Sequence, residues 1–167
     1  MLIIFAGLPG VGKTTIAREV ARQRGAAHLR IDTIEQVLND SGVDDRNDPG
    51  LGYRLAYALA ADNLRLGLTV IGDSVNSLEV TREAWRGVAE AAGTPFVEVE
   101  VICSDPAEHR RRVETRNVDV PGLVPPTWAE VQAREVQPWP GKRIVIDTAG
   151  RSLEESLAEL NAALAHP

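Results

Sequence analysis

The sequence contains one cysteine, Cys103, and few aromatic residues. A single cysteine excludes an internal disulfide, and since no Cys/His cluster accompanies it, no structural metal centre is predicted. Aromatic residues make up 4% of the chain, so the core must be largely aliphatic and rich in alanine. At 44% hydrophobic and 25% charged residues, the composition is otherwise typical of a globular domain.

Long hydrophobic runs are also absent, and none approaches the roughly 20 residues that span a bilayer. The N-terminal apolar run has no basic segment before it and leads directly into glycines, which excludes a secretory signal peptide. We therefore expect a cytoplasmic protein that makes no membrane contact. Its 167 residues predict one domain, residues 1–167, which we expect to be a monomer or a weak dimer.

Positive charge is limited, with 18 basic against 24 acidic residues and a net charge of −6. Duplex nucleic acid is therefore an improbable main partner, because neutralising its phosphates requires a basic surface. A short strand end in a local arginine pocket remains compatible with this charge. Only two of the basic residues are lysines, Lys13 and Lys142.

One of those lysines lies in a glycine-rich stretch that satisfies the pattern G-x-x-x-x-G-K-[ST]. The stretch follows an apolar run over 2–6 and precedes a helical pattern over 13–24, the context that a phosphate-binding loop (P-loop) requires. Its glycines allow backbone N–H groups to face a phosphate, Lys13 supplies charge, and the Thr14 hydroxyl can ligate Mg²⁺. A plain strand-to-helix turn is the weaker alternative. The predicted contacts to ATP are Gly7, Leu8, Pro9, Gly10, Val11, Gly12, Lys13, Thr14 and Thr15.

Strand-like and helical segments alternate along the whole chain, which predicts an α/β fold with a mostly parallel sheet. The strands are predicted at 2–6, 27–31, 68–72, 96–103 and 143–147. The helices are predicted at 13–24, 33–39, 51–66, 78–92, 106–116, 127–137 and 152–165. Leu55, Leu59 and Leu66, with the alanines between them, predict a broad apolar face on the third helix. Two turn-rich loops, 41–50 and 117–126, are candidate covers for a site at the carboxyl ends of the strands.

Two aspartates follow predicted strands. Asp32 comes after the second strand, where a carboxylate could accept the proton of an attacking hydroxyl, although it could equally be the N-cap of a helix from Thr33, with Glu35 completing a capping box. Asp73 comes after the third strand and could orient Mg²⁺ through water, or serve only in a turn.

The arginines of the helix over 106–116 form the one dense cationic cluster. Arg112 and Arg116 are four residues apart and therefore share a face, and we expect them to contact phosphates. Arg110 and Arg111 are expected on the surface. After the last strand, Asp147 is followed by Thr148, Ala149 and Gly150. This D-x-x-G resembles a GTPase motif, but without an Asn-Lys-x-Asp guanine motif we expect those three residues to lie beside adenine.

Together these positions resemble the compact P-loop kinases of the polynucleotide kinase, zeta toxin and chloramphenicol phosphotransferase type, which are AAA-type ATP-binding proteins. The resemblance implies a three-layer P-loop NTPase fold with a five-stranded sheet flanked by helices, and a small lid near 110–126. It also implies that Asp32 is the general base and that Arg112 and Arg116 contact ATP. With Lys13, Asp32 and Arg116 are the expected catalytic residues, while Thr14 and Asp73 are the expected metal residues.

One departure from that family bears on the substrate. Polynucleotide kinases carry an arginine shortly after the aspartate, whereas this chain has Glu35, a spacing similar to that of shikimate kinase. We therefore expect an ATP- and Mg²⁺-dependent kinase that phosphorylates a hydroxyl of a small molecule. The alternatives are a nucleotide-dependent switch or slow ATPase acting through a partner, and a kinase for nucleic-acid ends or nucleosides.

Overall fold

The structure, a computed structural model, describes residues 1–43 and 50–165. Five strands are formed, at β1 (Leu2–Ala6), β2 (Ala27–Arg30), β3 (Val70–Asp73), β4 (Phe96–Ile102) and β5 (Ile144–Asp147). Between and after them lie the helices α1 (Lys13–Arg24), α2 (Ile31–Asp40), α3 (Leu51–Arg65), α4 (Glu79–Ala91), α5 (Pro106–Thr115), α6 (Trp128–Ala133) and α7 (Leu153–Leu164). Residues 44–49 of the predicted acidic cover lie outside the described residues.

The strands form one sheet in the order β2-β3-β1-β4-β5, and every neighbouring pair is parallel. The central strand β1 is completely apolar and completely buried, as expected of a parallel strand covered on both faces. Ile3 and Phe5 pack against α1 and α7 on one face. Leu2 and Ile4 pack against α3 and α4 on the other. The protein therefore has the predicted three-layer α/β P-loop NTPase fold.

The prediction that Leu55, Leu59 and Leu66 belong to a buried apolar face of α3 is wrong. Leu55, Leu59 and Leu66 are 39%, 47% and 76% exposed, whereas Ala56 and Ala60 are fully buried. The small alanine side chains allow α3 to pack closely on the sheet, so the helix buries its narrow alanine stripe. The helix predicted over 127–137 is likewise shorter, since α6 ends at Ala133.

The strand ends beneath the P-loop are fixed by buried hydrogen bonds. The Gly7 N–H donates to the carbonyl of Val75 at 3.0 Å, and Asn76 Nδ2 donates to the carbonyl of Phe5 at 2.8 Å. Asn76 itself has a positive φ of 45°, and its carbonyl accepts from the fully buried Arg82. These contacts connect the exits of β1 and β3 and hold the base of the P-loop in place.

Candidate active site

The P-loop motif forms a tight turn between β1 and the first turn of α1. Gly10 and Gly12 have φ angles of 87° and 93°, a backbone region that favours glycine. At Gly10 a Cβ atom would lie only 2.5 Å from Val113 Cγ2, because α5 packs directly against the loop. Gly12 is the N-cap of α1 and makes no side-chain cap, so the first N–H groups of the helix can bind an anion.

Lys13 and Thr14 lie beside a buried carboxylate at the end of β3. Thr14 Oγ1 donates a 3.3 Å hydrogen bond to Asp73 Oδ1, and Lys13 Nζ lies 3.9 Å from the same oxygen. Burial alone would raise the pKa of Asp73, but its hydrogen bond with His28 and the charge of Lys13 outweigh burial and lower that pKa. Asp73 is therefore an ionised group that orients the Thr14 hydroxyl.

His28 was not predicted to belong to the site. Its Nε2 lies 3.0 Å from Asp73 Oδ2. The contact arises because β2 pairs with β3, which places His28 opposite Ile71 and two residues short of Asp73. Strand order is not encoded in any local motif, so no sequence pattern could have indicated this pair.

Asp32 lies in the first turn of α2, and its side chain lines the same cleft as Lys13 and Thr14. Because α2 begins at Ile31 and its N-cap position is Arg30, the alternative interpretation of Asp32 as an N-cap is wrong. The Asp32 side chain is 32% exposed, and its Oδ2 lies 3.6 Å from Arg30 Nη2. An accessible carboxylate facing a phosphate site can accept a proton from a bound hydroxyl.

Arg112 is held against the P-loop through Thr148. Its Nη1 donates to Thr148 Oγ1 at 2.8 Å, and its Nη2 donates to the Thr148 carbonyl at 2.9 Å and to Glu108 at 2.6 Å. The Thr148 hydroxyl in turn lies 2.8 Å from the carbonyl of Val11, to which it can donate. The predicted Arg112 and Thr148 therefore meet beside the loop.

Arg116 directly follows the last residue of α5, and it lines the cleft. It is half-buried, and within residues 1–43 and 50–165 its guanidinium has no hydrogen bond or ion pair. By contrast, the exposed Arg110 pairs with Glu114 on the surface, as predicted. Arg116 is therefore the α5 arginine that can reach a ligand without first breaking an existing contact.

A second histidine supports the loop from below. His109 is 7% exposed, and its Nε2 donates to the carbonyl of Pro9 at 2.8 Å. The ring of Trp128 packs edge-on against it, with the ring centroids 5.0 Å apart. As with His28, the partner of His109 is remote in the chain, so no local motif indicated the contact.

The cleft formed by these residues has a volume of about 1160 Å³. Five predicted site residues lie outside its lining: Gly7, Val11, Asp73, Ala149 and Gly150. The backbone N–H of Ala149 donates to Asp147, and that of Gly150 donates to Glu108. The lining contains seven cationic side chains against four acidic ones. The cations are Lys13, Arg18, Arg30, Arg112, Arg116, Arg134 and Arg151, and the acids are Asp32, Glu35, Asp119 and Glu130.

An acidic protein thus concentrates positive charge in one cleft, which favours an anionic ligand there. No group of three or more His, Cys, Asp and Glu side chains in the described part of the chain is placed to hold a metal ion. Nor does any helix among those residues have the length and hydropathy needed to cross a membrane.

Comparisons with known proteins show the family of the chain and relatives of its fold. The model of a family described as AAA domain matches residues 2–137. The fold resembles the APS kinase of Mycobacterium tuberculosis in complex with AMPPNP and APS, at 23% identity, 98% and 96% coverage of the two chains and a TM-score of 0.70. It also resembles a gluconokinase from Sinorhizobium meliloti (19%, 98% and 90%, 0.67) and a sugar kinase from Janibacter (16%, 98% and 94%, 0.68). No curated protein sequence matches significantly.

Proposed function

The chain belongs to the AAA domain family, and we propose that it is an ATP-dependent kinase that transfers the γ-phosphoryl group of ATP to a hydroxyl of a small molecule. The observation that carries this proposal is the position of Asp32. Its accessible carboxylate lines the same cleft as the P-loop Lys13 and Thr14 and as Arg116. The structural neighbours, whose names are those of small-molecule kinases, lend support.

The P-loop is suited to a nucleotide with Mg²⁺. Mg²⁺ in such sites takes one or two protein ligands and completes its octahedral shell with phosphate oxygens and water, so a cluster of carboxylates is not needed. Thr14 would provide the hydroxyl ligand, and its 3.3 Å hydrogen bond to Asp73 would fix the orientation of that hydroxyl. The bound ion would neutralise charge between the outer phosphates. Lys13, the N-terminus of α1 and Arg116 would bind the phosphate oxygens.

The transfer itself requires an in-line attack by the acceptor hydroxyl. The bond between the γ-phosphorus and the bridging oxygen breaks, ADP leaves, and a new bond forms from the acceptor oxygen to phosphorus. The hydroxyl proton passes to the Asp32 carboxylate. Arg116 would stabilise the negative charge that shifts onto the leaving oxygens.

The test is the change Asp32→Asn. Asparagine has the same shape but cannot accept the proton, so acceptor phosphorylation should fall by about 10²–10⁴-fold. Stability should fall by at most about 1 kcal/mol, because a first-turn acid contributes only modestly to a helix. ATP affinity should change little. Single-turnover transfer measures the first effect, thermal unfolding the second and calorimetry the third.

The matched control is Asp62→Asn on the exposed side of α3, which should leave turnover intact. ADP release should be screened against hydroxylated metabolites, nucleosides, aminoglycosides and phenicols to find the acceptor. Transfer by Asp32→Asn at the wild-type rate would remove Asp32 as the base. ADP release that no hydroxyl compound stimulates, but that a protein does, would instead favour a nucleotide-dependent switch.

A further inference from the structure

Three side chains that are remote in sequence meet at the end of the cleft near Asp32. Asp119 lies in the loop 116–127 between α5 and α6. It accepts a hydrogen bond from Arg30 at 2.8 Å through Oδ1, and one from Arg18 of α1 through Oδ2. Each guanidinium therefore binds one oxygen of the same carboxylate. We name Arg18 and Arg30 the arginine pair, and Asp119 the lid carboxylate.

The two arginines differ in how freely they can move. Arg30 has a side chain that is 12% exposed, fixed at the junction of β2 and α2, whereas Arg18 is 57% exposed on the surface of α1. The Nε–H of Arg30 is buried and finds no acceptor among the described residues. Arg30 thus presents a fixed donor surface whose hydrogen-bonding capacity Asp119 uses only in part.

Two guanidinium groups converging on one carboxylate have the geometry that recognises carboxylate, phosphate or sulfate on a small molecule. The lid carboxylate is 47% exposed and lies on a loop, so the Asp119 side chain can rotate away while the neighbouring Val120 stays buried. The site also adjoins the proposed base, because Arg30 Nη2 lies 3.6 Å from Asp32 Oδ2. An anion bound here would hold the rest of its molecule next to Asp32.

We propose that the acceptor is an anionic hydroxyl compound, such as a sugar acid, a hydroxy acid or a sugar phosphate, whose anionic group replaces the Asp119 carboxylate on Arg18 and Arg30. This proposal rests on the proposed kinase function. Binding exchanges one anion for another between the same two arginines and releases the Asp119 side chain. In the absence of acceptor, Asp119 acts as an internal occupant of the subsite.

The first experiment does not depend on turnover. The P-loop is saturated with AMPPNP and Mg²⁺, and inorganic sulfate is titrated by calorimetry at constant ionic strength. Asp119→Ala removes the internal competitor and should bind sulfate about tenfold more tightly than the wild type. Arg18→Ala combined with Asp119→Ala should lose this binding. Arg18 is exposed, so that variant should fold normally.

The matched control is Asp62→Ala, which removes another exposed aspartate paired with an arginine, Arg65, remote from the cleft. It should leave sulfate affinity unchanged. Wild-type sulfate affinity in Asp119→Ala, or the same gain in Asp62→Ala, would overturn the proposal.

The second experiment compares acceptors that differ only in an anionic group: gluconate with glucose, glycerate with glycerol, and ribose 5-phosphate with ribose. For an accepted pair, kcat/KM for the anion should exceed that for the neutral compound by about tenfold or more, and Arg18→Ala should abolish the difference. Arg22→Ala, on the same helix but outside the cleft lining, is the control.

The kinase proposal and the anion-subsite proposal can each be contradicted without the other. Tighter sulfate binding by Asp119→Ala without phosphorylation of any acceptor would support the anion subsite and count against the kinase. Phosphorylation of neutral compounds as readily as anions, with an unresponsive Asp119→Ala, would support the kinase and remove the subsite.

Discussion

At the P-loop end of the cleft, the supporting contacts are buried and largely involve backbone atoms. His109 holds the carbonyl of Pro9, Thr148 holds the carbonyl of Val11, and Asn76 holds the carbonyl of Phe5. At the opposite end, Asp119, a partly exposed loop side chain, makes ion pairs with Arg18 and Arg30, while the next residue, Val120, is buried. The cleft thus has one end with fixed geometry and one end that can exchange partners.

This difference matches the demands of phosphoryl transfer. The phosphates of a nucleotide are the same for every acceptor, so donors held in advance lose little entropy on binding. An acceptor must enter and leave in each cycle, and its end of the cleft must open to allow this. The partly exposed Asp119 side chain can leave its ion pairs at small cost, because partly exposed pairs contribute only about 0–1 kcal/mol.

The largest effect on turnover is expected from removing the Lys13 side chain at the P-loop end of the cleft. Lys13→Ala removes the phosphate-binding charge, so kcat should fall by at least about 10²–10³-fold. Calorimetry should show ATP binding weakened by about 10–100-fold, the equivalent of a lost charge-assisted hydrogen bond. The fold should persist, because Asp73 keeps its contacts to Thr14 and His28.

The control for this change is Lys142→Ala, which removes the one other lysine, an exposed residue outside the cleft lining. Its ATP affinity and turnover should equal those of the wild type. Unchanged ATP affinity in a folded Lys13→Ala variant would remove the P-loop assignment.

The same contrast explains what the sequence could predict. A P-loop is encoded in consecutive residues, since its glycines and lysine act through a single local turn, and the alternation of strands and helices indicated the sheet. Lys13 and Thr14 lie in that turn, Arg112 and Thr148 meet beside it, and Asp32 lines the same cleft. Their roles as binding and catalytic residues remain proposals.

The acceptor end could not be predicted in this way. Asp119 pairs with residues 101 and 89 positions away, and no periodicity or motif connects them. His28 reaches Asp73 only because β2 pairs with β3. The leucines of α3 show a related limit of sequence-based prediction. Their hydrophobicity predicted burial, but the close packing of α3 on the sheet buries alanine side chains instead.

An intermediate effect should separate two arginines of α5. Arg112→Ala removes hydrogen bonds to Thr148 and Glu108, so the free energy of unfolding should fall by about 1–3 kcal/mol. Arg116→Ala removes no hydrogen bond or ion pair to any described residue and should change stability by less than about 0.5 kcal/mol. It should lower kcat by about tenfold or more while weakening ATP binding less, because its contact forms mainly in the transition state.

Denaturant unfolding and steady-state kinetics of both variants measure this contrast, with Arg110→Ala as the surface control. Near-normal turnover in Arg116→Ala would mean that Arg116 is a solvated surface residue with no role in transfer.

The smallest effect should come from the lid carboxylate. Hydrogen bonds from Arg30 and Arg18 lower the pKa of Asp119 to about 2 in the folded protein, against about 3.9 in an unfolded chain. A carboxylate with a depressed pKa stabilises the fold fully above the unfolded value, and this contribution disappears as the pH falls through about 2. Because both partners are partly exposed, Asp119→Asn should lower the free energy of unfolding by only about 0.2–1 kcal/mol at pH 7.

That difference between wild type and Asp119→Asn should be constant from pH 8 to pH 5, narrow at pH 3, and shrink in high salt, which screens exposed charges. Urea unfolding of both proteins at each pH measures it, and Asp62→Asn controls for removal of an exposed charge. A difference well above about 2 kcal/mol would mean that the ion pairs of Asp119 hold loop 116–127 firmly, and one independent of pH down to pH 3 would mean that packing rather than charge holds it. The acceptor end would then be as fixed as the P-loop end, and entry of an acceptor would require another opening.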